Sequence, residues 1–163
     1  MRRQLCALLW VFTLACRDLP TPPVPFKPPA QATAKQTPDK PRFLPGAMPV
    51  APFVAEQLLA APGTRIVVYV GASWCEPCQR FHRALEAGEL DAELHGVRFI
   101  EYEHDAANAA LESDGYRSRL IPLFALPQAD GRCSQRTLEG SIKGDGAVQN
   151  ILPRLQALLA SPP

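Results

Sequence analysis

Cys75 and Cys78, with two residues between them, follow the apolar run Ile66-Val67-Val68-Tyr69-Val70 after a gap of four residues and open a stretch of helical pattern. At that spacing two sulfurs close a disulfide within the first turn of a helix or part again as two thiols. A helix start offers free backbone N–H groups and the positive end of its dipole, and both stabilise a thiolate. The thiolate is the form that attacks a disulfide, so the pair suits thiol–disulfide exchange. A structural disulfide is one alternative and half a zinc site another. Zinc takes four ligands, however, and the chain has neither a second Cys-x-x-Cys nor a pair of suitably spaced histidines.

Trp74-Cys75-Glu76-Pro77-Cys78 resembles the W-C-x-P-C active site of the thioredoxin superfamily. Pro122, preceded by Ile121, lies 44 residues after Cys78, where that family carries its cis-proline. Gly140 lies 18 residues beyond Pro122, where the family has a glycine by the substrate groove. The resemblance covers residues 50–160 and implies an α/β thioredoxin fold, a central mixed β-sheet flanked by helices. It also implies roles. Cys75 is the exposed attacking thiol and Cys78 the resolving thiol of a redox-active Cys75–Cys78 disulfide, while Trp74, Ile121, Pro122 and Gly140 meet the substrate. No bound cofactor and no metal are implied; electrons come from an upstream dithiol donor.

Around the motif, Pro77 fits the first turn of a helix, where its missing N–H is harmless. Glu76 places a carboxylate beside Cys75, which opposes thiolate formation and tilts the pair towards a reductant, unless water screens it to no effect. Family reductases often carry Ile before the cis-proline, as Ile121 does here. Trp74 either shields the sulfurs or joins the core. Three positions depart from thioredoxin, one of them Glu101, which stands where thioredoxin has a lysine on the next strand. Tyr69 stands where thioredoxin has a buried aspartate serving the second cysteine, and Gly71 replaces the first of its two active-site tryptophans. Glu101 either supplies a relocated carboxylate for Cys78 or reaches water from a strand end. Cys133 reads as a small half-buried strand residue, and His82, His95 and His104 as surface residues without a role.

The elements that must position these residues follow from apolar periodicity. Helices are expected over 52–61, 76–94 (with Gly88 as a kink), 106–113 and 146–160 (with Pro153 inside), and strands over 65–70, 97–103, 123–126 and 133–139. The first of these strands is a near-continuous β-branched run, the mark of a strand covered on both faces. This order is a thioredoxin fold whose first strand is short or missing. Residues 42–50 could supply that strand, with Pro45 and Pro49 confining it to an edge. The spacing from Cys78 to Pro122 leaves no room for a large inserted helical domain.

The amino-terminal third has a different character. Arg2 and Arg3 precede an apolar run of 11 residues, Leu5 to Ala15, interrupted by Thr13. That run is shorter than the ~20 residues a membrane span takes and fits the core of an export signal. It ends in Leu14-Ala15-Cys16, which resembles a bacterial lipobox and implies lipid attachment at Cys16, although Thr13 departs from the pattern. From residue 17 to 49, ten of 33 residues are proline, so this stretch reads as a stiff extended spacer, up to roughly 100 Å long at ~3.1 Å per residue. The domains expected are therefore a signal peptide over 1–15, a tether over 16–49 and a thioredoxin-like domain over 50–163.

The formal charge is +1, and −1 once Arg2 and Arg3 leave with the signal. With no basic stripe, nucleic acid is not an expected partner. The sequence thus predicts an exported, membrane-tethered periplasmic protein-disulfide reductase of a Gram-negative bacterium. Its expected partners are disulfide-bearing exported proteins, a dithiol donor and, through the lipid, the membrane. A disulfide isomerase or oxidase of the same fold is one alternative, and a non-enzymatic copper- or client-binding module using the same thiols is the other.

Overall fold

The β-branched run beginning at Arg65 organises the molecule by alternation. In the computed structural model, which describes Lys40 and residues 42–160, this run is strand β2 (Arg65–Gly71). Its odd-numbered side chains Val67 and Tyr69 join one apolar layer with Phe81, Phe99, Phe124, Ile151 and Leu155. Its even-numbered ones, Ile66, Val68 and Val70, join a second layer with Val54, Ile100, Leu111 and Tyr116. Period-two geometry thereby splits one hydrophobic run into two cores, one on each face of the sheet.

The remaining elements are β1 (Arg42–Pro45), α1 (Val50–Ala60), α2 (Glu76–Glu86), β3 (Val97–Glu103), α3 (His104–Ser113), β4 (Leu123–Pro127), β5 (Cys133–Glu139) and α4 (Ala147–Ala160). Among the described residues they form a five-stranded sheet of order β1-β3-β2-β4-β5. β1, β3 and β2 are parallel, β4 is antiparallel to β2, and β5 is antiparallel to β4. This is the thioredoxin fold, with a first strand that is short but present. The signal segment 1–15, Cys16 and the tether as far as residue 39 lie outside the described residues. Among the described residues no helix is long and apolar enough to cross a membrane.

Several boundaries differ from the sequence expectation. The sheet begins at Arg42, upstream of residue 50: β1 pairs with β3 from Arg42↔Arg98 to Pro45↔Glu101. As an edge strand it tolerates Pro45, and the next residue continues the pairing, Gly46 donating its N–H to the Glu101 carbonyl at 2.8 Å. Helix α2 stops at Glu86 instead of running to residue 94. Gly88 is no kink; at φ +77° it turns the chain out of the helix. Leu90 and Leu94 stay buried through the turns that follow, which is why the apolar period outlasts the helix. Helices α1 and α3 each begin two residues earlier than expected, and α4 continues through Pro153.

Candidate active site

Parallel pairing of β2 with β3 brings the site together. Their register ends at Gly71↔Glu103, so the residues after both strands emerge side by side at the carboxyl end of the sheet. From β2 come Ala72 to Cys75 and then α2; from β3 come His104 and Asp105. Cys75 is the N-cap of α2, and its sulfur accepts the Cys78 N–H at 3.3 Å. That same N–H is placed to stabilise a thiolate once the disulfide opens. The Cys75–Cys78 disulfide is closed, with Cα atoms 5.2 Å apart.

The expectation of an exposed Cys75 needs correcting for this oxidised form. Cys75 is 5% exposed and Cys78 3%. What separates them is the space each meets. Cys75 lines a groove of about 350 Å³ shared with Trp74, His104, Leu120, Ile121 and Lys143. Cys78 lines a different hollow of about 250 Å³, bordered by Tyr69, Gly71, His82, Glu101 and Glu103.

The groove floor is built behind Ile121. The Ile121–Pro122 peptide bond is cis, and the buried Pro122 accepts the Gly140 N–H on its carbonyl at 2.8 Å. Gly140 has φ +62°, and a Cβ there would come within 3.0 Å of the Leu120 side chain. Pro122 and Gly140 therefore act from behind, holding Leu120 and Ile121 at the groove. Trp74 belongs to the rim and not to the core, being 62% exposed. Its indole N–H donates to Asp105 Oδ2 at 2.9 Å, and Asp105 Oδ1 lies 2.8 Å from His104 Nδ1. These partners, His104 first and Trp74 second, hold the Asp105 carboxyl below its ordinary range.

Glu76 does not confront Cys75 as a bare charge. Its carboxylate bonds the Arg80 guanidinium one turn along α2 and accepts the Gly144 N–H at 3.1 and 3.2 Å. Arg80 also reaches Asp145 at 2.7 Å. Arg80, then the Gly144 N–H, lower the Glu76 pKa. The residue serves as a clasp between the start of α2 and the loop ahead of α4, and the opposition to thiolate expected of it is largely offset by Arg80.

Tyr69 is 1% exposed and packs among Phe43, Phe81 and Phe124. Its hydroxyl donates to the Cys78 carbonyl at 3.5 Å. Burial, followed by the nearby Glu101 and Glu103 charges, pushes the phenol well above its ordinary pKa, so it supplies no base for Cys78. Glu101 borders the Cys78 hollow, where its partner is His82, with Nε2 3.3 Å from Oε1. His82 also meets Glu86 at 3.3 Å and lies flat on the Phe43 ring, centroids 4.1 Å apart. Cys133 is buried, and burial raises its thiol pKa.

His82 and His104 are the residues that the sequence reading passes over. For His82 the signal is its place four residues after Cys78, on the same face of α2. For His104 it is its place just beyond the strand parallel to the one that ends at the motif. Among the described residues no group of three or more His, Cys, Asp or Glu is arranged to hold a metal ion.

A mixed sheet of this order, a Cys-x-x-Cys disulfide at the start of the helix after β2, and a cis-proline ahead of β4 together define a thioredoxin-fold protein with a vicinal dithiol site. Solved structures similar to this chain include a point mutant of a thioredoxin from Halobacterium salinarum NRC-1, 20% identical, covering 78% of this chain and 98% of that one with a TM-score of 0.46. A poplar thioredoxin h is 16% identical, covering 76% and 99% with a TM-score of 0.45. The reduced C-terminal domain of DsbD from Neisseria meningitidis is 20% identical, covering 60% and 90% with a TM-score of 0.34. No protein-family model and no curated protein matches the chain. The assignment of the fold therefore rests on the strand order and register given above.

Proposed function

We propose that this protein is a thiol–disulfide oxidoreductase that reduces disulfides in exported proteins through Cys75 and Cys78. The observation that carries the reading is the placement of the disulfide. Cys75 caps α2, receives the Cys78 N–H, and lines a groove together with Leu120 and Ile121, which Pro122 backs. In the reduced form the Cys75 thiolate attacks a client disulfide, and Cys78 then displaces the client from the mixed disulfide. An upstream dithiol protein returns the pair to its reduced state. The reducing direction is supported by Ile121 ahead of the cis-proline and by a carboxylate, Glu76, within the motif, although pairing with Arg80 weakens the second argument.

Trapping tests the roles. Cys78→Ser should accumulate reductant-sensitive covalent adducts with clients, because the mixed disulfide has no internal route of escape, and Cys75→Ser should accumulate almost none. Equal trapping by both variants would overturn the division of labour. Mass spectrometry of the adducts names the clients.

Export and tethering in a Gram-negative periplasm are part of the same proposal. They are supported by Arg2 and Arg3 ahead of the apolar run, by Leu14-Ala15-Cys16, and by the proline-rich stretch that follows. Expressed in a bacterium, the protein should partition with membranes and Cys16→Ala should release it or stall its processing. Recovery of wild type as soluble protein with an unmodified amino terminus would sink the lipid anchor.

A further inference from the structure

His104 is held in an arrangement that a surface histidine does not need. Its Nδ1 faces Asp105 Oδ1 at 2.8 Å, and the other oxygen of Asp105 takes the Trp74 indole N–H at 2.9 Å. The Trp74 ring stands edge-on to the imidazole, centroids 6.3 Å apart. A carboxylate on Nδ1 keeps the proton on that nitrogen and leaves Nε2 as the atom that exchanges protons. His104 lines the same groove as Cys75.

We propose that His104 is the proton carrier of this groove, with Asp105 as its positioning residue. The inference rests on the dithiol-exchange reading and adds a catalytic residue to it. Nε2 takes the proton of the Cys75 thiol as that thiol ionises. The thiolate attacks the client disulfide; the bond from Cys75 to one client sulfur forms as the client S–S bond breaks, and the electron pair goes to the leaving sulfur. Nε2 returns the proton to that sulfur, which departs as a thiol. Cys78 then attacks Cys75, the disulfide closes, and the proton Cys78 gives up accounts for the second client thiol. Two electrons pass from the dithiol to the client.

The other charged groups at the groove do not replace this function. Glu76 on α2 is committed to Arg80 and the Gly144 N–H. Asp105 is bonded on both oxygens, and Glu103, beside it at the end of β3, borders the Cys78 hollow. Arg119 and Lys143 also line the groove. Both side chains carry hydrogen-bond donors and no acceptor, so neither offers a site for a proton from a thiol.

Leaving-group dependence separates a proton carrier from a residue that merely supports the loop. The full chain carrying Cys78→Ser stops at the mixed disulfide on Cys75, and the rate of that single step is read by mass spectrometry at neutral pH. Two uncharged probes are compared. Hydroxyethyl disulfide expels an alkyl thiolate that needs a proton, whereas dithiodipyridine expels an aromatic one that leaves without it. Adding His104→Asn should slow the alkyl probe by about tenfold or more relative to the aromatic probe. Asp105→Asn should shift the ratio in the same direction. If His104→Asn slows both probes equally, or neither, the proton-carrier role is overturned and dithiol exchange stands. If the Cys78→Ser chain reacts with neither probe, the exchange reading falls as well.

Discussion

The phenolic oxygen of Tyr69 sits 2.7 Å from the point that a Cβ on residue 71 would occupy. Residues two apart on a strand share a face, so the tyrosine at one position and the glycine at the other form one arrangement. The large ring fills the space beside Cys78 and leaves no volume for a side chain at Gly71. Tyr69 and Gly71 are therefore one coupled arrangement.

Gly71→Ala should lower stability by about 1–3 kcal/mol, the usual penalty for overpacking. In a Tyr69→Phe background, where the clashing oxygen is gone, the same change should cost less by about 1 kcal/mol. Urea unfolding of the four variants in a double-mutant cycle checks this, and strict additivity would contradict the coupling.

The contact of Phe43 with His82 and Tyr69 makes β1 part of the folded head. Phe43→Ala should destabilise by about 2–3 kcal/mol. Deleting residues 17–38, a stretch with few apolar residues, should leave the urea midpoint nearly unmoved, whereas extending the deletion through Pro45 should lower it clearly. A deletion through Pro45 without effect would show that β1 contributes nothing to stability.

The pairing of Glu76 with Arg80 bears on the redox potential. We expect the Cys75–Cys78 couple to equilibrate with glutathione nearer about −270 mV, the thioredoxin value, than about −120 mV, the DsbA value. Arg80→Ala uncovers the Glu76 carboxylate beside Cys75, disfavours the thiolate and so disfavours the reduced form. The potential should become more negative by about 10–30 mV, and Glu76→Gln in the same chain should restore it. A shift to more positive values would reverse the assigned electrostatics.

Acid should disconnect Trp74 from Asp105. The Asp105 carboxyl is held below its ordinary value in the folded protein, so this linkage contributes fully above the unfolded aspartate range and is lost as pH falls through the depressed value. Emission of Trp74, taken as the difference from a Trp74→Phe variant, should titrate with a midpoint below about 3.9. Asp105→Asn should abolish that titration. A midpoint at or above the ordinary value would contradict the bonding seen at the groove rim.

Much of this site is legible because it is written in contiguous residues. Trp74 to Cys78 declare the motif, and the β-branched run before them declares a central strand. What the sequence conceals depends on register. His104 reaches the groove because β3 ends beside β2, and His82 meets Glu101 because α2 packs across β3; neither proximity leaves a periodic trace. Periodicity overextends helix α2 because Leu90 and Leu94 remain core residues after the helix has ended. The clasp at Glu76 is hidden in part because the Gly144 that donates to it, and the Asp145 that Arg80 reaches, lie more than 60 residues downstream.

Strand β1 enters the sheet at Arg42, opposite Arg98 near the start of β3, whereas Cys75 lies past the finish of the parallel strand β2. Chain entry and dithiol occupy opposite poles. A load applied between Arg42 and Cys75 runs along the strand axes. The hydrogen bonds between β1 and β3 are then loaded together, in shear, and do not open one after another as a zipper does. A force between those two poles is thus resisted by the whole β1–β3 register at once.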